Sequence, residues 1–251
     1  MAIQLTSKAM DAPAFRPGPR AGRWLRRVAI AAAAGVLASL PPVRAQSPDI
    51  VRAQAGDWLV AADDGRPGCR VSLKTTKTVG GMVATPAADC ANRLPRLAGV
   101  AVWHLSDGVV LSDATRKPIL AFGEDETAIL KTREGGPPTY YMLKPKPGVD
   151  RLPHASAVFG TWQMRRPKGP PICTVTFHDR PPKGGEESYA LTVDPACDGA
   201  IRRLKLASWR IEDLTLQLYG EEEGLSFEQT ADGFAKPVER GSRPLELVRA
   251  P

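Results

Sequence analysis

The sequence reads AGDWLVAADDGRPGCRV from Ala55 to Val71 and FGTWQMRRPKGPPICTV from Phe159 to Val175. The two stretches are each 17 residues long, align without a gap, and start 104 residues apart. Six residues are identical in both: Gly56, Trp58, Gly65, Pro67, Cys69 and Val71 recur as Gly160, Trp162, Gly169, Pro171, Cys173 and Val175. A repeat of this kind predicts that the chain contains two copies of one structural unit.

The tryptophans and cysteines keep the same order beyond the opening stretch. The landmarks are Trp58, Cys69, Cys90 and Trp103 in the first copy, and Trp162, Cys173, Cys197 and Trp209 in the second. The two cysteines lie 21 residues apart in the first copy and 24 apart in the second. Four cysteines allow three pairings. The repeat favours disulfides within each copy, Cys69 with Cys90 and Cys173 with Cys197.

Each copy has the pattern of short strands rather than helices. Runs such as VAVWHL in the first copy and LTLQLYG in the second alternate in side-chain direction, and Gly, Pro and Asp separate them. About eight such runs per copy predict an all-β fold of two tandem eight-stranded antiparallel barrels, which leave no open sheet edge. We expect Trp58, Trp103, Trp162 and Trp209 to fill the barrel interiors, because a small barrel is just wide enough for its own side chains.

The first 45 residues have the layout of a secretory signal peptide. A basic region ending in Arg26-Arg27 precedes an apolar run from Val28 to Leu40, and Val43–Ala45 offers small residues for cleavage. The apolar run is too short to cross a bilayer, so we expect no membrane anchor. Cleavage near Ala45 would give a periplasmic or secreted protein, in an oxidising compartment that suits paired cysteines.

Between the copies lies KPKPGVDRLPHASAV, from Lys144 to Val158, which is rich in proline and has no sustained apolar pattern. It is typical of a semi-rigid linker. The predicted organisation is therefore a signal peptide at 1–45, a first barrel domain at 46–144, a linker at 145–157 and a second barrel domain at 158–251.

Charge and composition argue against several function classes. Residues 1–45 contain seven Lys or Arg and one acidic residue, so the remainder has 27 basic and 26 acidic residues and no basis for nucleic-acid binding. The chain has no C-x-x-C pair, and His104, His154 and His178 are scattered, so we expect no metal or cofactor. No catalytic constellation is recognisable. We expect a monomer that is not an enzyme.

Each copy resembles the alkaline metalloprotease inhibitor family, the periplasmic inhibitors of serralysin-type zinc proteases. The matching features are the Gly-x-Trp opening, the two spaced cysteines, a Trp preceded by small or apolar residues, and a following hairpin. These features read GDW, GVAVW and VVLSD in the first copy, and GTW, KLASW and LTLQLYG in the second. The resemblance implies a lipocalin-like barrel with one disulfide and a secreted zinc metalloprotease as the partner.

The resemblance also implies a mechanism in which the residues before the barrel enter the active-site cleft of the protease. In this sequence that leader is Gln46, Ser47, Pro48, Asp49 and Ile50. An N-terminal Gln can cyclise and lose its amine, and the second copy has no free terminus. Whether both copies inhibit is therefore open, and a disordered leader is an alternative. A lipocalin-like small-molecule binder, which would need a cavity of several hundred Å3, and a structural envelope protein are the other functions considered.

Overall fold

The computed structural model describes residues 47–251, apart from 125, 133–135, 184, 186 and 239–242. The predicted signal peptide and Gln46 lie outside the described residues. Residues Gln46–Pro251 form one compact unit. In the part of the chain that the structure describes, no helix is long and apolar enough to cross a membrane.

A short helix, α1 (Pro48–Gln54), precedes the first barrel. The strands of this barrel are β1 (Gly56–Ala62), β2 (Cys69–Thr78), β3 (Gly81–Pro86), β4 (Val102–Leu105), β5 (Val109–Ser112), β6 (Pro118–Glu124), β7 (Leu130–Thr132) and β8 (Tyr140–Leu143). Helix α2 (Cys90–Arg93) and a 3-10 helix (Pro95–Leu97) connect β3 to β4. Each strand pairs antiparallel with the next, and β8 pairs with β1 to close the barrel.

The second barrel repeats this order after a 3-10 helix at Ala155–Ala157. Its strands are β9 (Gly160–Arg165), β10 (Pro171–Phe177), β11 (Tyr189–Val193), β12 (Ser208–Glu212), β13 (Thr215–Tyr219), β14 (Gly224–Gln229), β15 (Gly233–Ala235) and β16 (Glu246–Arg249), with α3 (Gly199–Arg203) between β11 and β12. Strand β16 pairs with β9. The prediction of two closed eight-stranded antiparallel barrels is confirmed.

The two predicted disulfides are also confirmed, one in each barrel. Cys69, the first residue of β2, bonds to Cys90, the first residue of α2. Cys173 in β10 bonds to Cys197, just before α3. Each disulfide therefore fixes a short helix to the strand wall of its own barrel.

The barrel interiors are packed with large apolar side chains. Trp58 and Trp162 are each 5% exposed, and Trp103 and Trp209 are fully buried. In the second barrel the ring of Phe177 contacts both tryptophans edge-on, with centroids 6.2 Å from Trp162 and 5.2 Å from Trp209. Edge-on aromatic contacts add to the free energy of apolar burial.

The segment between the barrels is packed rather than extended through solvent. Leu152, only 2% exposed, packs against Leu59 and Ala61 on the outer face of β1, and Leu214 of the second barrel packs against the same cluster. The backbone N–H of Gly68 donates to the carbonyl oxygen of Asp150 at 2.6 Å. This cover explains why five consecutive residues of β1 are buried although they alternate between its two faces.

Leu214, the first residue of the LTLQLYG run, lies in the turn between β12 and β13, where Asp213 and Leu214 both have positive φ. Two consecutive residues of positive φ are typical of the tight turn that matches the twist of a hairpin. The turn places Leu214 in the cluster with Leu152.

Candidate functional site

The predicted leader forms the beginning of helix α1. Ser47 occupies the N-cap position without a side-chain capping bond, and its carbonyl oxygen accepts the N–H of Val51 at 3.2 Å. Pro48 is suited to the first helical turn because its missing N–H would have no partner there. Pro48, Asp49 and Ile50 therefore form the first turn of α1, and Ser47 precedes them, whereas Gln46 lies outside the described residues.

The C-terminal end of α1 is anchored to the first barrel. Val51 and Ala55 pack against the barrel core. The indole N–H of Trp58 donates to the carbonyl oxygen of Gln54 at 2.9 Å. Gly56, with φ of +116°, turns the chain from this helix into β1. A tryptophan of the barrel core thus fixes the C-terminal end of the helix that contains the leader.

The N-terminal end of α1 faces solvent. Pro48, Asp49 and Ile50 are exposed, and Ile50 retains 55% of its accessible surface. The side chains of Asp49 and Arg52 form an ion pair that is itself well exposed, so it contributes little to stability. The exposed side chain of Ile50 is therefore available for apolar contact with a partner.

The second copy repeats the anchor but not the exposed end. The indole N–H of Trp162 donates to the carbonyl oxygen of Val158 at 2.7 Å, and Gly160 has φ of +111°. The guanidinium of Arg249 donates to the carbonyl oxygens of Ala157 at 2.6 Å and Phe159 at 3.0 Å. The connector from the first barrel thus occupies the place that the leader has in the first copy, and Arg249 holds it there.

A cation covers the first tryptophan of each copy. The ammonium of Lys144 lies 3.6 Å from the ring centroid of Trp58, and the guanidinium carbon of Arg249 lies 4.8 Å from that of Trp162. Burial beside the ring lowers the pKa of Lys144, although the residue as a whole is exposed. Lys144 and Arg249 were not predicted as site residues, because their only sequence signal is a basic residue at or just after the last strand of each barrel.

A cavity of about 370 Å3 lies between α1 and the rim of the first barrel. Ile50 and Gln54 line it from the helix, and Leu105, Gly108 and Leu130 are among the residues that line it from the rim. The side-chain oxygen of Gln54 is buried without a hydrogen-bond partner among the described residues. The leader therefore rests on the rim without filling the space beneath it.

The described residues include no group of three or more His, Cys, Asp or Glu side chains that could hold a metal ion. The site consists instead of a short ordered segment on a rigid barrel. Such an arrangement is suited to contact with another macromolecule.

A family model described as protease inhibitor Inh matches the chain twice, over residues 51–143 and 152–249. The chain belongs to the protease inhibitor Inh family. The first match begins within α1 and ends with β8, and the second begins at Leu152 and ends with β16. Each Inh unit therefore includes a barrel and residues that precede it. Comparison with curated proteins gave no significant match. Membership of the Inh family indicates a protease as the partner of this protein and protease inhibition as its activity.

Proposed function

We propose that this Inh protein inhibits a secreted zinc metalloprotease of the serralysin type, and that the leader of its first barrel is the inhibitory segment. The proposed location is the periplasm or the exterior, after removal of the first 45 residues.

The observation that carries the proposal is the difference between the two ends of α1, one packed against the barrel and the other exposed. The helix is fixed at Val51 and Gln54 and exposed from Pro48 to Ile50. An inhibitory segment benefits from this arrangement, because a base that is already ordered loses less conformational entropy when the segment enters a cleft. The packed barrel interiors support an inhibitor more than a carrier of small molecules.

The chemistry of a catalytic zinc fits a leader of this kind. Such a zinc has three protein ligands and keeps one position open for water or substrate. A neutral amine of Gln46, or a backbone carbonyl next to it, would displace the water that the protease needs as nucleophile. Residues Pro48–Ile50 would then lie in the cleft, and the barrel would cover its entrance.

A titration of residues 46–251 against a serralysin-type protease tests the protease class. A trypsin-type and a papain-type enzyme in the same assay serve as controls. We expect tight inhibition of the metalloprotease alone. Equally strong inhibition of either control would show that the inhibitor does not depend on an active-site zinc in the protease.

Deletion of Gln46–Ile50 tests the segment. We expect at least about a tenfold weaker inhibition, or about 1.4 kcal/mol of binding free energy. The melting temperature should change little, because Pro48, Asp49 and Ile50 are exposed and the anchor residues remain. As a matched control, Val51→Ala removes a side chain that packs against the core, so it should lower the melting temperature. Unchanged inhibition after the deletion would rule out the leader as the inhibitory segment.

A further inference from the structure

The two barrels differ in the length of their second strand. In the first barrel Gly56, the first residue of β1, pairs with Leu73, and in the second Gly160 pairs with Phe177. These pairs are equivalent at the repeat offset of 104 residues. Strand β10 ends at Phe177, whereas β2 continues for five more residues to Thr78. We call residues 74–80, which include the turn into β3, the β2–β3 extension.

Packing within the barrel does not explain this extension. All residues from Lys74 to Val79 are exposed, so neither face of the strand is covered. Val79, at the tip, retains 77% of its accessible surface and is the most exposed large apolar residue in the described part of the chain. An exposed two-stranded end is an aggregation liability that proteins generally avoid.

The extension is nevertheless held in a defined position. The pairing of β2 with β3 shifts between Leu73 and Lys77, which indicates a bulge, and the indole N–H of Trp103 donates to the carbonyl oxygen of Lys74 within it at 2.9 Å. At Gly81 a Cβ would lie 2.5 Å from the carbonyl oxygen of Trp103, so a larger residue cannot fit without a shift of the backbone. Bulges often redirect strands near functional sites.

In the second barrel, strand β10 ends at Phe177, and the described residues do not provide the same support. Its equivalent tryptophan, Trp209, has a buried indole nitrogen without a hydrogen-bond partner among the described residues. Leaving a buried N–H unpaired costs free energy. The bond from Trp103 is therefore specific to the copy that carries the exposed leader.

Position and charge suggest what the extension binds. It continues past the first residue of β1 on the side from which α1 enters, and α1 contacts β2. Residues 70–85 include Arg70, Lys74 and Lys77 but no acidic residue. The helix that contains the leader and a basic, apolar-tipped hairpin thus lie at the same end of the first barrel.

We propose that the β2–β3 extension is a second contact with the target protease and binds an acidic surface that flanks the cleft. The inference rests on the proposed function, because it names the same partner. Lys74 and Lys77 would contribute mainly to the rate of association, and Val79 would supply apolar contact at the tip. Complementary charge typically acts on association and specificity in this way.

The first experiment reverses the charge of the extension. Lys74→Glu with Lys77→Glu in residues 46–251 should raise the inhibition constant about tenfold at low salt, with most of the change in the association rate. The difference should shrink at high salt, because salt screens exposed charges. Lys168→Glu with Lys183→Glu in the second barrel is the matched control, since both residues are exposed and the change in net charge is identical. This control should stay within twofold of the unmodified protein.

The second experiment removes the apolar tip. Val79→Ser should weaken inhibition severalfold, whereas Val238→Ser, at a residue 71% exposed in the second barrel, should have no effect. Melting temperatures should be unchanged in all four variants because every substituted side chain is exposed.

The outcomes separate the two proposals. If the unmodified protein does not inhibit the metalloprotease, the proposed function is wrong and this contact is wrong with it. If the leader deletion weakens inhibition but the extension variants match their controls, only the second contact is overturned. If sedimentation shows that the extension variants change self-association and not inhibition, the extension binds a second copy of the chain, which also overturns the proposal.

Discussion

A single backbone torsion at the start of each barrel accounts for the first residue of the repeated Gly-x-Trp triplet. Gly56 and Gly160 have φ of +116° and +111°. A Cβ at Gly56 would meet no atom within 4 Å, so the restriction comes from the backbone and not from crowding. The turn directs β1 away from the preceding helix and allows the indole of Trp58 to reach the carbonyl of Gln54. The glycine therefore turns the chain so that the tryptophan can bond to the preceding segment, and the second copy repeats this arrangement.

At this scale we predict that Gly56→Ala destabilises the first barrel by about 1–3 kcal/mol, the usual cost of a side chain in a sparsely populated backbone region. Gly99→Ala is the control, since its φ is not in the left-handed region and its Cβ would make an ordinary contact with Ile119 at 3.6 Å. Urea denaturation of residues 46–251 measures both. Equal stability of the two variants would mean that the chain can relax the torsion without cost.

At the scale of elements, each disulfide joins a strand to a short helix that could not persist alone. Helices α2 and α3 have four and five residues, well below the length at which isolated helices are stable. Leu97, in the 3-10 helix that follows α2, and Ile201, within α3, are buried in the two barrels. The disulfide keeps these apolar residues in place over the interior, so its contribution is to the closed barrel as well as to the helix.

We predict that replacing Cys69 and Cys90 with Ser lowers the stability of the first barrel by about 3 kcal/mol, the value for a closed loop of this size. The equivalent change at Cys173 and Cys197 should destabilise the second barrel by a similar amount. Only the first change should reduce inhibition at elevated temperature, if the leader acts from the first barrel. Thermal unfolding and inhibition assays on both variants measure this, and a loss of inhibition from the second change alone would contradict it.

The strands and disulfides could be predicted because their signals are local and occur twice. Alternation of side chains identifies a strand wherever one face is buried, and two copies of the cysteine spacing select one pairing of three. Helix α1 could not be predicted, because PDIVRAQ is short and its order depends on the packing of Val51 and on Trp58. The β2–β3 extension is equally hidden, since Lys74–Val79 has strand-forming residues but no buried face.

One apolar cluster connects the two barrels. Leu152 lies between prolines and charged residues in the sequence, and a single leucine gives no periodicity. The structure packs it with Leu59 and Ala61 of the first barrel and Leu214 of the second. The ammonium of Lys146, in the segment between the barrels, also forms an ion pair with Glu228 of the second barrel at 2.5 Å, although both side chains are half exposed. The predicted linker therefore shares in the packing of both barrels.

We predict that Leu152→Ala lowers stability by about 2–4 kcal/mol, the usual cost of removing a buried leucine side chain. Calorimetry should show the two barrels unfolding at more widely separated temperatures, because the cluster couples them. Val149→Ala, at a less buried position of the same segment, should have a much smaller effect. A calorimetric profile identical to that of the unmodified protein would show that the cluster does not couple the barrels.

The continuous chain between the barrels also determines valency. In the second barrel, the residues equivalent to the leader belong to the connector, and Arg249 binds the carbonyl groups of Ala157 and Phe159, which follow them in the chain. Any further unit added by duplication in the same way would have its own leader position filled by the unit before it. Under the proposed function, such an array would carry one inhibitory end however many barrels it contained, and would gain no avidity from its length. If the leader is the inhibitory segment, duplication adds a barrel without adding an inhibitory end, and the second barrel can diverge without loss of inhibition.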